Sequence, residues 1–142
     1  MNMQNVIFVA IGYEKHLIDG IVPRTFRKLE KKYPVKVYYC NGLEIDKTIK
    51  KLKHHRRDKV VAIDVGFTDK KSFLVSVQGG IRPAFATQGL TKKIGDIGYI
   101  VNISQLCTKD TLNKQDKKTV KKVRKMEHKL YMKLEEVIPE VI

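Results

Sequence analysis

A chain of 142 residues is the size of one ordinary domain and is long enough to bury a sizeable apolar core without disulfide staples. Its 29 lysines and arginines outweigh 15 acidic residues, a formal charge of +14 that fits either a nucleic-acid footprint or a lysine-rich solvated surface. The two cysteines, Cys40 and Cys107, end apolar runs, which favours small buried hydrophobes in a reducing compartment over a disulfide; with no basic leader and no apolar run long enough to span a bilayer, a cytoplasmic protein is expected.

The continuous apolar run from Val6 to Ile11, ending at Gly12, predicts a central strand covered on both faces. After a loop holding Glu14 and His16, the spacing of Ile18, Ile21, Val22, Phe26 and Leu29 predicts a helix over 18–32 that begins near Asp19, with Pro23 in its first turn and Pro34 beyond its end. Val35 to Cys40 predicts a short strand, and Asn41-Gly42 a turn. Leu43, Ile45, Ile49 and Leu52 mark a second amphipathic helix, closed by His54-His55-Arg56-Arg57, where cations suit a helix C-terminus.

Val60 to Ile63 predicts a third strand, terminating in the carboxylate of Asp64. Two further strands are expected at Phe73–Val77 and Tyr99–Ile103, separated by a long glycine-rich segment of the kind that is usually functional or covers a site. From Thr111 to Ile138 a helical period predicts one long basic helix. Strands alternating with helices, without repeats or linkers, predict a single α/β domain over residues 1–142: three layers around a mostly parallel, doubly wound sheet of about five strands, phosphorylase/hydrolase-like.

In such a sheet, ligands bind outside the carboxyl ends of the strands where the winding reverses. Asp64 ends an entirely apolar strand, and Asp19 follows the first strand by one loop. Each has a structural alternative: a cap or turn role for Asp64, and a favourable helix-start charge for Asp19. Together, two carboxylates at neighbouring strand ends could share a proton, activate water or hold a divalent cation, with His16 as the candidate third ligand. Glu14, His54, His55 and His128 are weaker candidates. The absence of Gly-x-Gly-x-x-Gly, a phosphate loop, Cys-x-x-Cys and Gly-x-Ser-x-Gly speaks against dinucleotide or triphosphate binding and against a nucleophilic serine or cysteine enzyme.

The segments Phe8-Val9-Ala10-Ile11-Gly12 through Asp19-Gly20-Ile21-Val22-Pro23, then Val61-Ala62-Ile63-Asp64, then Val75 to Pro83, then Ile94-Gly95-Asp96-Ile97, resemble the YyaC-type sporulation proteins, relatives of the germination protease and the hydrogenase-maturation endopeptidases. The resemblance implies that Asp19 and Asp64 match the acids that form the germination protease's proposed catalytic pair and that, with a histidine, bind the client's nickel in the maturation enzymes. No histidine stands near the fourth strand or in the glycine-rich loop; Gln78, Gly79 and Gly80 stand there instead and are the candidate substrate contacts. Phe85, Ala86 and Thr87 replace glycines expected of the family.

The expected function is therefore a sporulation-associated peptidase that uses Asp19 and Asp64, with or without a divalent cation, on a protein or peptide client. One alternative is a non-enzymatic sporulation factor or binding domain on the same fold. A second is a nucleic-acid binder using lysines of the first, second and last helices; against it stand the absence of Gly/Arg repeats and the scarcity of interleaved aromatics.

Overall fold

A computed structural model describes residues 5–82 and 93–141, with the side chains of 139–141 left aside. The chain is α/β: five strands in the order β2-β1-β3-β5-β4, with helices on both faces. The strands are β1 (Val6–Ile11), β2 (Lys36–Cys40), β3 (Lys59–Gly66), β4 (Leu74–Gln78) and β5 (Ile97–Asn102), and the helices are α1 (Ile21–Glu30), α2 (Ile45–Leu52) and α3 (Lys117–Val141). The pairings β1·β2, β1·β3 and β3·β5 are parallel, and β4 runs antiparallel along β5 at the sheet edge.

Both faces of β1 and β3 are covered, so their sequences read as unbroken apolar runs. Alternate residues supply two cores. Phe8, Ala10, Val61, Ile63 and Val65 face Ile21, Val22, Phe26 and Leu29 of α1 and Val123, Leu130 and Leu134 of α3. Ile7, Val9, Ile11, Val60 and Ala62 face the other way, against Ile45 of α2 and the bridged pair Ile81 and Ile94. Each fully buried aliphatic or phenyl side chain contributes about 1.5–3 kcal/mol. The first core is tied at its centre by Phe8 and Phe26, whose rings lie 5.3 Å apart in a tilted pair.

Several boundaries differ from the sequence expectation, each for a local reason. Strand β3 continues through Asp64 to Gly66, so the carboxylate sits inside the strand and not at its tip. Helix α1 starts at Ile21, because residues 13–20 are held in turns by Arg24. Helix α3 starts at Lys117 and not at Thr111: Asp116 Oδ1 accepts the Thr119 amide at 3.0 Å as an N-cap, and the Thr119 side chain, followed by that amide, lowers the Asp116 pKa, whereas Thr108 and Thr111 close a separate turn. Strand β5 starts two residues early, at Ile97, with Gly98 inside it. The glycine is required by packing, since a Cβ there would lie 2.2 Å from Ile81 Cγ1.

Beyond α2, a 3-10 turn over Lys53–His55 is pinned to β2, where the Tyr38 hydroxyl meets His55 Nε2 and Asp58 meets His55 Nδ1, each at 2.8 Å. Both cysteines are free and buried, and burial pushes both thiols up in pKa. Among the described residues no helix is long and apolar enough to cross a membrane. Residues 83–92, including Pro83, Phe85, Ala86, Thr87 and Gly89 of the glycine-rich segment, lie outside the described residues.

Gly98→Ala is expected to destabilise the fold by about 1–3 kcal/mol, because the new methyl overpacks a closed core against Ile81. Urea unfolding of the single variants and of Gly98→Ala with Ile81→Ala checks it. The double variant should lose less than the sum of the singles, and strict additivity would show that the two positions do not compete for space.

Candidate functional site

The winding reverses between β1 and β3: β1 leads through α1 to β2 on one side, and β2 leads through α2 back to β3 on the other. The carboxyl ends of β1 and β3 therefore flank the crevice where doubly wound sheets bind ligands. In the β1·β3 register Ala10 lies opposite Ile63, which sets Ile11 beside Asp64. Ile11 also pairs with Cys40 of β2, and Asp64 with Ile100 of β5. Neighbours in parallel register present side chains to the same face, so Cys40, Ile11, Asp64 and Ile100 form a row on the α2 side of the sheet. Asp64 is only 1% exposed. The Cys40 thiol, pushed up in pKa chiefly by burial, is raised further by the Asp64 charge.

Asp19 arrives by a different route. Gly12, at φ 143°, turns the chain at the end of β1, and a Cβ there would lie 2.0 Å from the Asp19 carbonyl oxygen. Only glycine lets the loop fold back this tightly. The Asp19 side chain does not cap α1, whose N-cap is Gly20 without a side-chain bond; instead its Oδ2 accepts the Tyr13 amide at 2.7 Å. Burial raises the carboxyl pKa, against smaller opposing effects from that amide, His16 and Arg24. Asp19 is thus a half-buried carboxyl, raised in pKa by burial, whose backbone packs over Gly12 at the carboxyl end of β1.

Arg24 fixes the loop. Its Nη1 donates to the carbonyls of Glu14 and His16, both at 2.8 Å, its Nη2 donates to Leu17 O, and its Nε donates to Glu127 Oε1 of α3 at 2.6 Å. Nη2 also lies 2.5 Å from the same carboxylate oxygen, so every guanidinium N–H has an acceptor. Glu127 is almost fully buried and takes a second, longer contact at 3.6 Å from Lys28.

The other expected site residues fall elsewhere. His16 is engaged at both ring nitrogens: Nδ1 accepts the amides of Ile18 and Asp19 at 3.2 and 3.0 Å, which leaves the proton on Nε2 for Asn113 Oδ1 at 2.8 Å. Among the described residues no three His, Cys, Asp or Glu side chains converge as a metal-binding group. Asp19 and Asp64 with His16 thus do not fit a three-ligand metal centre. Gln78 pairs with Ile97, which pairs with Val61, so Gln78, Gly79 and Gly80 lie toward the amino ends of β3 and β5, away from the aspartate edge. Gly79 and Gly80, at φ 78° and 93°, make the turn into the Ile81–Ile94 bridge. Asp96 completes the neighbouring ladder: its amide donates to Val60 O and its Oδ2 accepts the Val60 amide, both at 2.8 Å.

Two residues that organise this edge escape a reading of the sequence. Arg24 lies in an ordinary helical pattern, and its partner Glu127 is over a hundred positions away. Asn102, in a strand pattern, is almost fully buried and donates from its side-chain amide to the carbonyls of Lys70 and Ser72 at 2.7 and 3.2 Å. A polar residue closing an apolar strand was the available signal.

The raised Asp19 pKa has a stability consequence of definite sign. The folded carboxyl holds its proton more tightly than the unfolded one, so its favourable contribution is complete below the unfolded value of about 3.9 and is lost as pH rises through the folded value. Asp19→Asn keeps an oxygen for the Tyr13 amide and cannot ionise. It should exceed wild type in urea midpoint at pH 7, with the gap closing as pH falls toward 4; a gap independent of pH would contradict this origin. Arg24→Ala leaves Glu127 buried without its main partner and is expected to cost about 3 kcal/mol. Hydrogen exchange at Gly20 and Arg24 should accelerate along with it, and unchanged exchange would show that the loop holds by other means.

No family model and no curated protein matches the sequence. Among solved structures the chain is similar to the [NiFe] hydrogenase maturation protease HybD from Thermococcus kodakarensis, with 18% identity over 90% of this chain and 99% of that one and a TM-score of 0.42.

Proposed function

We propose that the chain is a peptidase-like hydrolase in which Asp19 and Asp64 act as a carboxyl pair on a protein or peptide client. The observation that carries this reading is the pairing of two desolvated carboxyls with the switch point: Asp64 buried within β3, and Asp19 half-buried and biased toward protonation at the head of β1. Burial raises the Asp19 pKa, and a carboxyl whose ionisation is disfavoured in a crevice is the kind of group that exchanges protons in catalysis.

Carboxyls brought together on a bound client at this switch point would hold one proton more readily than none. The ionised member takes a proton from water as that water attacks the amide carbonyl, and the protonated member donates to the carbonyl oxygen. The proton then passes to the leaving nitrogen as the C–N bond breaks. Asp19, being partly exposed, is the member that meets substrate; Asp64 supplies the buried second carboxyl. The sequence resemblance would place the client among proteins of a sporulating cell.

Incubation with a proteome-derived peptide library, read by mass spectrometry, tests the reading. Wild type should generate new termini that Asp19→Asn and Asp64→Asn each slow by roughly 100-fold or more. Equal cleavage by all three would assign the activity to a contaminant. No cleavage by wild type, with library peptides still retained, would favour a binding domain that keeps the fold.

A further inference from the structure

The positive charge is not used by the aspartate site, and the structure segregates it. From Lys117 to Met126, α3 carries no acidic residue. Its first acid, Glu127, is turned inward to Arg24 and Lys28, and Glu135 is paired with Lys32 of the segment after α1 at 2.8 Å. The outward stripe Lys118, Lys122, Lys125 and Lys129 is exposed at every position, with the helical spacing 4, 3, 4 that keeps one face.

Three of these lysines, with Lys71 from the segment between β3 and β4, line a recess of about 270 Å³ floored by Phe73 and Asn102; none of its lining residues is acidic. The recess is held in shape. Asn102 donates to the carbonyls on either side of Lys71, and its Oδ1 accepts the Ser104 amide at 3.0 Å. Lys129 Nζ lies 4.6 Å from the Phe73 ring centroid, a cation–π contact that lays the chain across the floor.

We infer that this lysine-lined groove binds the phosphate backbone of nucleic acid without sequence preference. Lys118 to Lys129 spans about 16 Å along the helix, which at roughly 3.4 Å per nucleotide on one strand matches about five phosphates. Lysines act as point charges and suit a string of phosphates; bidentate carboxylate recognition would call for arginine. Of the large exposed apolar side chains of the described residues, Tyr13, Leu43 and Val137 lie off the stripe, and its line ends beyond Lys129 in Met132 and the acidic Glu136, so it lacks the continuous apolar flank with which a basic helix enters a lipid surface. Asn102 pairs with Gly66 at the end of β3, which sets the groove beside the same sheet edge as the aspartates, though its binding does not depend on their chemistry.

Fluorescence anisotropy with a labelled 12-nucleotide single strand and a 20-base-pair duplex, titrated across sodium chloride, tests the inference. The variant Lys122→Glu/Lys125→Glu/Lys129→Glu should bind at least about tenfold more weakly near 50 mM salt, with a log–log salt slope shallower by up to about 3. The charge-matched control Lys47→Glu/Lys50→Glu/Lys53→Glu on and after α2 should bind like wild type. The corresponding Lys→Gln triple, compared with wild type in circular dichroism and thermal midpoint, should lose affinity while folding normally. Equal losses in stripe and control variants, no binding by wild type at low salt, displacement by poly-glutamate at equal charge, or tighter binding to anionic vesicles would each overturn the proposal.

Discussion

The guanidinium of Arg24 is the joint on which this edge of the molecule is assembled. It donates to three carbonyls of the loop, one of which also takes the Gly20 amide, and with its remaining donors it neutralises Glu127, the acid that α3 buries. Arginine alone has the donor number and fork geometry for this; a lysine offers three donors from one point and would leave acceptors unfilled. Because the loop is clamped from α1 and α3 together, Asp19 takes a fixed position over Gly12 despite lying outside any helix or strand.

The same contact sorts the surface charge. By drawing Glu127 inward, Arg24 leaves the outward face of α3 to lysines, so one buried ion pair both positions the carboxyl loop and makes the neighbouring groove cationic. The two candidate functions meet along the carboxyl ends of the strands, where Asp64, Gly66 and Asn102 succeed one another across β3 and β5.

Much of the architecture was legible because burial on both sheet faces writes itself as apolar runs: β1 and the body of β3 could be found from Val6–Ile11 and Val60–Ile63 alone. What escaped is what depends on distant partners. Asp64 reads as a strand's end because a charge rarely belongs inside one, yet the strand runs two residues beyond it. Ile97-Gly98 reads as loop until Ile81 is seen to need the space of a missing Cβ. The start of α3 was misplaced because Leu112 continues the apolar period that Asp116 in fact opens. Of the candidate site, Asp19 and Asp64 were visible as acids beside apolar strands, whereas the side chain that holds the first of them, Arg24, carries no local mark of its role. The placement of Gln78-Gly79-Gly80 away from the aspartates followed from the reversed direction of β4, which an apolar run of five residues does not reveal.

The Arg24–Glu127 contact joins residues 103 positions apart. Strands β1 and β2 are brought together through the nearby helix α1, but Arg24, which holds the loop between β1 and α1, gains its last acceptor only when α3 has docked. Closing so long a span costs entropy before it returns any contact, which places it among the later events of folding. The loop carrying Asp19 thus receives its final clamp after the sheet beneath it, and a chain with a formed sheet but an undocked last helix would leave Arg24 without the acid that anchors its grip on that loop.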